Sequence, residues 1–215
     1  MELISVNVGG PREVEWHGRR VRTSIWKAPV AGRVRVEGVN LAGDRQSDLS
    51  VHGGPDKAVY AYPSEHYAHW RREIAGFDLP WGVFGENLTV TGLLETAVRI
   101  GDHLQIGSAE FRVTQPRLPC FKLGIRFNHD AMVQQFFESG RTGFYLAIVR
   151  EGEVGQGDAI THTPADADSG TVADLFALYG DKAPDRNRLA RAVALPGLSE
   201  SWRDHFLQQL ESLDL

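Results

Sequence analysis

The only cysteine of the chain, Cys120, ends the stretch TQPRLPC, in which Pro116 and Pro119 flank Arg117. A thiol in this position can be a metal ligand, a nucleophile or persulfide carrier, or a small buried apolar side chain. A nearby cation favours the thiolate that binds metals, and the prolines fix backbone angles, which lowers the entropy lost on meeting a ligand. The residues by themselves favour the functional and the structural interpretation about equally.

A second candidate site lies within residues 43–62, where His52 precedes Gly53 and Gly54, and Lys57 follows. Consecutive glycines allow backbone N–H groups to approach an anion closely, and histidine and lysine add charge or hydrogen-bond donors. The alternative is a tight turn between strands whose histidine and lysine face water. For the HGG motif taken alone, this alternative is favoured.

A third candidate is the segment GVFGENLTV, residues 82–90, which leads from two glycines into a predicted strand. The side-chain amide of Asn87 carries both a donor and an acceptor, so it can orient a ligand carbonyl or a metal-bound oxygen. The alternative is a loop with a buried Phe84 and an asparagine at the start of a strand. That alternative is the better one for this segment in isolation.

Short alternating segments separated by glycine turns predict a mainly β fold, a barrel or folded sheet rather than a βαβ fold. The predicted strands are residues 3–8, 33–36, 58–62, 87–91, 98–106, 110–114 and 144–149, with a hairpin turn at Gly107-Ser108. One helix is predicted at about residues 64–74, and another after Asp130 as its N-cap.

The acidic, small-residue stretch TPADADSG predicts a linker between a β-rich domain, residues 1–163, and a three-helix extension, residues 171–215. Beyond it the apolar residues repeat with helical spacing, and three residues are suited to cap the three helices: Thr171, Asp185 and Ser199. Three helices of this size are too short to be stable alone, so they should pack on the β domain or on a partner.

The composition excludes several classes of protein. The formal net charge is −5 and no basic run is present, so direct nucleic-acid binding is not expected. No segment approaches the roughly 20 apolar residues of a membrane helix, and the start of the chain lacks the features of a signal peptide, so a cytoplasmic enzyme is expected. One cysteine cannot form an intramolecular disulfide or a cysteine cluster, and there is no P-loop or dinucleotide fingerprint.

Taken together and in this order, the three segments resemble the signature of the MOSC domain, the domain named for the C-terminal part of molybdenum cofactor sulfurases. The similarity is greatest to its stand-alone bacterial YiiM type, and it covers nearly the whole chain. The residues that carry it are Gly43-Asp44, Asp48, His52-Gly53-Gly54, Lys57-Ala58-Val59, Gly82-Val83-Phe84-Gly85-Glu86-Asn87-Leu88, Gln115-Pro116-Arg117, Pro119-Cys120 and Lys122-Leu123. Ser24-Ile25-Trp26-Lys27 near the start and Trp202-Arg203 in the tail fit the same type.

The resemblance implies a β-barrel-like fold around a molybdenum cofactor, molybdopterin with its metal, in which the cysteine of the PRxPC segment binds molybdenum. Here that residue is Cys120. It also implies reduction of N-hydroxylated compounds such as 6-hydroxylaminopurine, as a detoxification. Because the chain has no nicotinamide, flavin or haem motif, electrons are expected from a separate flavoprotein reductase.

Further roles in the pocket follow from this interpretation. Arg117, His52 and Lys57, beside Gly53 and Gly54, should offset the negative dithiolene and phosphate groups. Asn87 should orient the substrate or a metal-bound oxygen. The terminal phosphate requires charge-assisted donors, for which Ser24 and Lys27 are candidates.

Two other functions remain open at this point: a sulfur carrier that holds a persulfide on Cys120, and a binding module for an anionic ligand. The helical extension contains no residue that resembles a metal ligand, so it is expected to lie outside the chemistry. It should cover the β domain near the cofactor, or dock either the electron donor or a second copy of the chain in a homodimer.

Overall fold

The computed structural model describes residues 1–47, 53–166 and 169–213. These residues form short strands in the first three quarters of the chain and helices mainly at its end. The strands are β1 Glu2–Val8, β2 Arg12–Trp16, β3 Arg19–Thr23, β4 Ala28–Pro29, β5 Arg33–Glu37, β6 Asn40–Leu41, β7 Val59–Pro63, β8 Leu88–Thr91, β9 His103–Ile106, β10 Ala109–Pro116, β11 Phe144–Arg150, β12 Gly152–Gly155 and β13 Ile160–Thr163. The α-helices are α1 His66–Glu73, α2 Phe121–Phe127, α3 Met132–Ser139, α4 Val172–Gly180, α5 Arg186–Ala194 and α6 Glu200–Ser212.

The largest sheet has the strand order β13-β9-β10-β11-β7-β8-β1-β4 and curls so that β1 returns to β13. Three backbone hydrogen bonds close it: the N–H of Leu3 donates to Asp158 O (2.9 Å), that of Gly157 donates to Leu3 O (2.8 Å), and that of Ile160 donates to Met1 O (3.1 Å). Closure removes free strand edges, which otherwise offer unpaired backbone groups. The mainly β, barrel-like architecture predicted from the sequence is therefore confirmed.

The alternation of apolar and polar residues explains which face of each strand is buried. In β5, Val34 and Val36 are buried while the arginines between and beside them are exposed. In β10, Phe111 and Val113 point into the core, and the tight turn at Gly107 and Ser108 joins β9 to β10 as predicted. The sheet thus supplies the apolar interior that a period of two residues predicts.

One part of the topology differs from the prediction. Strands β7 and β8 pair in parallel, with α1 in the connection between them. The chain therefore contains one βαβ-like crossover, although the sequence indicated none. The remaining paired strands of the sheet are antiparallel.

Several element boundaries also require correction. The predicted strand at 98–106 begins only at His103, because Gly101 takes a positive φ of 90° and the buried Asp102 accepts a hydrogen bond from the Arg99 N–H (2.8 Å). Asp130 does not cap α3: the N-cap is Ala131, and Asp130 contacts the side chain of His17 at 3.1 Å. The hairpin of β2 and β3 and the helix α2 were not anticipated.

The helices α4, α5 and α6 share their apolar side chains with the core of the barrel. Leu175, Leu189 and Phe206 belong to the same buried cluster as Leu104 and Phe111. The predicted caps are present at α4, where Thr171 and Asp174 form a capping box, and at α5, where Asp185 accepts a hydrogen bond from the Arg188 N–H (2.9 Å). Ser199 is the N-cap of α6, but its side chain makes no capping hydrogen bond to the helix backbone. Among the described helices, none combines the length and the apolar character needed to cross a membrane.

Candidate functional site

A pocket opens beside the barrel where the ends of several segments meet. It is lined by residues that are far apart in the sequence. They lie between β3 and β4, at the start of β8 and in the loop after β10. Of the residues singled out in the sequence, those that line it are Ser24, Lys27, Gly53, Lys57, Asn87, Arg117 and Cys120. His52 lies outside the described residues. Gly54 adjoins Gly53 in a turn with φ values of 86° and 124°, a backbone conformation that favours glycine.

Cys120 is half-buried at the wall of this pocket, directly before α2. It is the N-cap residue of that helix, and its carbonyl oxygen accepts a hydrogen bond from the Leu123 N–H (2.9 Å). The backbone around the thiol is therefore held by the start of a helix as well as by the two preceding prolines. The thiol is accessible from the pocket and fixed in position, which suits a ligand to a bound group.

Arg117 is buried between two aromatic rings. Its guanidinium carbon lies 5.1 Å from the ring centroid of Tyr60 and 5.1 Å from that of Phe136. Burial, the largest single influence, lowers the pKa of Arg117, but the interactions with Tyr60, Tyr145, Cys120 and Tyr62 act together against it, and the net shift of the pKa is upward. Among the described residues, its Nη1 has no hydrogen-bond partner. A buried, charged donor without a partner at a pocket wall is suited to an anionic ligand.

A buried ion pair, Lys27 with Asp44, forms another part of the pocket wall. Lys27 Nζ lies 2.5 Å from Asp44 Oδ2, and the two side chains are only 9% and 1% exposed. Burial lowers the pKa of Lys27, and the carboxylate of Asp44 acts against that shift. Asp44 also accepts hydrogen bonds from the Gly9 N–H (2.8 Å) and from Asn87 Nδ2 (2.9 Å). Lys27 is thus neutralised by Asp44 within the wall.

The side chain of Asn87 connects this network to the barrel. Its Oδ1 accepts a hydrogen bond from the Tyr60 N–H (3.1 Å), while its Nδ2 donates to Asp44. Both ends of the amide are therefore occupied by the protein. Asn87 lines the pocket, and its contacts position Asp44 and Tyr60.

The loop before β8 is organised by Glu86, which is completely buried. Its carboxyl group accepts hydrogen bonds from the N–H groups of Gly82 (2.8 Å) and Phe84 (3.1 Å) and from the hydroxyls of Thr89 (3.0 Å) and Tyr67. Burial raises the pKa of Glu86, and the hydrogen bonds act against that shift. This segment places Asn87 at the start of a strand, as predicted. The loop that does so is held in shape by the hydrogen bonds to the carboxyl group of Glu86.

The described lining of the pocket is mainly basic although the whole chain has a net charge of −5. Its described lining contains one carboxylate, Asp44, against five basic side chains: Lys27, Arg45, Lys57, Arg117 and Lys122. This excess of basic over acidic side chains in the described lining favours an anionic ligand.

Some lining residues were missed by the sequence analysis. Tyr145 on β11 and Tyr60 on β7 lie side by side on the sheet, with ring centroids 5.4 Å apart. Burial raises the pKa of Tyr145, with Arg117 acting against the shift, so its phenol keeps its proton at neutral pH. The sequence analysis missed them because tyrosines in a strand usually belong to the core. In the structure both line the pocket together with Arg117.

The described residues contain no group of three or more histidine, cysteine, aspartate or glutamate side chains able to hold a metal ion. The pocket therefore offers one thiol and several cations. A metal bound there by Cys120 needs further ligands of its own, and those ligands can be anionic.

Two family profiles match the chain, one over the β-rich part and one over the C-terminal helices. Residues 48–161 match the family profile described as "MOSC domain", and residues 171–213 match the profile described as "YiiM-like, 3-alpha helix domain". The uncharacterized protein YflK of Bacillus subtilis is 37% identical over 98% of this chain and 95% of its own length. Protein YiiM of Escherichia coli is 35% identical over 84% of this chain and 81% of its own length.

Two further relatives bear on fold and activity. The crystal structure of YiiM from Geobacillus stearothermophilus superposes with a TM-score of 0.81 at 31% identity, covering 97% of this chain and 98% of that one. A protein of Gibberella moniliformis named "Reductase" is 29% identical over 83% of this chain, which spans 32% of that protein.

Proposed function

Because the chain belongs to the MOSC domain family and carries the YiiM-like three-helix domain, we propose that it is a molybdenum-cofactor-dependent reductase of N-hydroxylated compounds. The observation that carries the proposal is the thiol of Cys120 in a pocket with a mainly basic lining, beside the partnerless Nη1 of the buried Arg117. The similarity to a fungal protein named "Reductase" supports the same class of activity.

The residues of the pocket fit such a cofactor. A molybdopterin brings its own sulfur ligands, so a single protein thiolate is enough to complete the attachment, and soft thiolates suit this metal. Its dithiolene and phosphate are anionic, which matches Arg117, Lys57 and the backbone N–H groups near Gly53. Ser24 lines the same pocket and hydrogen-bonds Ser47.

Reduction of an N-hydroxyl group consumes two electrons and two protons, breaks the N–O bond and releases water. A cofactor held by Cys120 and Arg117 would supply the electron pair for this reduction. The chain itself binds and orients the substrate and excludes bulk water. Tyr145, whose phenol stays protonated, holds a hydrogen-bond donor at its hydroxyl on the pocket wall, where it can stabilise the departing oxygen.

The direct test is to purify the protein from a host that makes molybdenum cofactor and to measure molybdenum, pterin and sulfane sulfur. We expect metal and pterin in equal amounts, and reduction of 6-hydroxylaminopurine to adenine with dithionite as electron donor. Protein that carries sulfane sulfur on Cys120 and no molybdenum contradicts the proposal and supports the sulfur-carrier alternative.

Electrons are proposed to come from a separate flavoprotein reductase. We expect that this chain does not oxidise NADH or NADPH by itself, because its sequence carries no nicotinamide or flavin fingerprint. Turnover should appear only when dithionite or a flavoprotein reductase is added, and it is followed by absorbance at the nicotinamide band and by product analysis. Steady NADPH oxidation by the purified chain alone contradicts this expectation.

Arg117 is proposed to hold an anionic group of the cofactor. Arg117→Met keeps the hydrophobic volume between Tyr60 and Phe136 but removes the charged donor, which should weaken cofactor binding by about 10- to 150-fold. The measurement is molybdenum content after dialysis at graded protein concentrations. Arg126→Met is the control, because Arg126 is partly buried beside Phe77 and does not line the pocket. Equal occupancy in both variants contradicts the role of Arg117.

A further inference from the structure

A groove adjoins the pocket and shares part of its wall. Lys57, Cys120 and Tyr145 line both cavities, so the groove and the pocket share the wall that carries the thiol. The rest of the described lining includes Gln115 at the end of β10 and, from the C-terminal helices, Tyr179, Trp202 and His205. The extension therefore covers the β domain beside the candidate site, which was one of the two placements expected for it.

The helical side of the groove is a wall of stacked rings. The ring of His205 stacks on that of Tyr179 with centroids 4.1 Å apart and an interplanar angle of 23°. The ring of Trp202 lies 4.9 Å from that of Tyr179. Trp202 is buried, whereas Tyr179 and His205 are half-buried and present their surfaces to the groove. Aromatic walls of this kind favour a flat ring that can pack against them.

Two residues that line the groove each carry a buried polar atom without a partner among the described residues. Gln115 is only 3% exposed, its Nε2 donates to Pro116 O at 3.4 Å, and its Oε1 accepts nothing. His205 Nε2 is likewise buried without a partner, and burial lowers the pKa of His205, which keeps the imidazole neutral at physiological pH. Buried polar atoms in native proteins are nearly always hydrogen-bonded, so these two are suited to a ligand that supplies the missing partners.

We infer that this groove binds the substrate as a planar heteroaromatic ring, which packs against Tyr179, donates an N–H hydrogen bond to Gln115 Oε1 and hydrogen-bonds His205 Nε2. The exocyclic N-hydroxyl group then points to the shared wall at Cys120 and Tyr145. This inference rests on the proposed function and deepens it, because it assigns the choice of substrate to the three-helix domain. Small aliphatic N-hydroxyl compounds can reach the shared wall without using the groove.

The test compares two substrates in three variants, with dithionite as donor so that protein docking plays no part. Gln115→Leu removes the acceptor, and His205→Phe removes Nε2 while keeping a ring stacked on Tyr179. Gln209→Leu is the matched control, since Gln209 lies on the same helix with a buried, partnerless Oε1 but does not line the groove. For 6-hydroxylaminopurine we expect kcat/KM to fall at least about fivefold in each groove variant and to stay unchanged in the control.

Reduction of N-methylhydroxylamine and molybdenum content should be the same in all variants. Adenine, the reduction product of the purine substrate, should bind the wild-type holoprotein in calorimetry and bind the groove variants at least about fivefold more weakly. Equal loss with both substrates, or adenine affinity unchanged in the groove variants, overturns the inference. If adenine binds the wild type and depends on the groove but neither substrate is reduced, the groove stands and the proposed reaction fails.

Discussion

Cys120→Ser is expected to abolish molybdenum binding while the chain remains folded. A serine hydroxyl is a harder and far less acidic ligand than a thiolate, so ligation should fail. The fold should tolerate the change, because Cys120 is half-buried and occupies the N-cap of α2, a position that serine favours. Metal content by mass spectrometry of the purified protein should drop to background, with an unchanged circular dichroism spectrum and thermal midpoint.

The matched control is Phe121→Ala, at the next residue of the same helix start. The side chain of Phe121 is 52% exposed and does not line the pocket, so molybdenum should stay bound. Wild-type metal content in Cys120→Ser contradicts the role of the thiol. Loss of metal in both variants shows instead that any disturbance of this helix start removes the cofactor.

Much of the barrel could be predicted because its strands carry their own signal. The alternation around Val34 and Val36 and around Phe111 and Val113 depends only on neighbouring residues, and both segments are strands in the structure. The break within residues 98–106 carried a local signal as well, since the pair Gly101-Asp102 is typical of a turn, but the apolar residues on both sides led to the prediction of one continuous strand.

The pairing of the strands could be predicted from the sequence less well than the strands themselves. The parallel pairing of β7 with β8 depends on how α1 and the following loop pack against the sheet, and no local pattern records it. Helix α2 was missed for a similar reason: its seven residues directly follow two prolines and a cysteine, and their burial comes from tertiary contacts. Short helices of this kind depend on packing more than on intrinsic propensity.

The sequence could predict which segments form the candidate site, but it could not predict the contacts between their residues. The order of the three segments pointed to residues that do line one pocket, among them Gly53, Asn87 and Cys120. The pairing of Asp44 with Lys27 and Asn87 links residues 17 and 43 positions apart, so it depends on the fold. The ring wall on α4 and α6 was hidden because Tyr179 and Trp202 have the spacing of ordinary core residues.

The buried pair behind the pocket should be the most sensitive point for stability. Asp44→Ala is expected to lower the free energy of unfolding by about 3–5 kcal/mol, because Lys27 is left as a buried charge without its partner. The N–H of Gly9 and the amide of Asn87 lose their acceptor as well. Since domains of this size are stable by about 5–15 kcal/mol, the variant should be close to unfolding. Urea denaturation of the cofactor-free protein measures the change.

Asp158→Ala provides the matched comparison. Asp158 also pairs with a basic side chain at 3.0 Å and accepts a backbone N–H, but its partner Arg33 is 47% exposed. Water can solvate the arginine left behind, so the loss should be about 1 kcal/mol or less. In the double variant Lys27→Met with Asp44→Asn no buried charge remains, and part of the stability lost in Asp44→Ala should return. Equal losses for Asp44→Ala and Asp158→Ala would show that burial of the Lys27 pair does not determine the stability of the pocket wall.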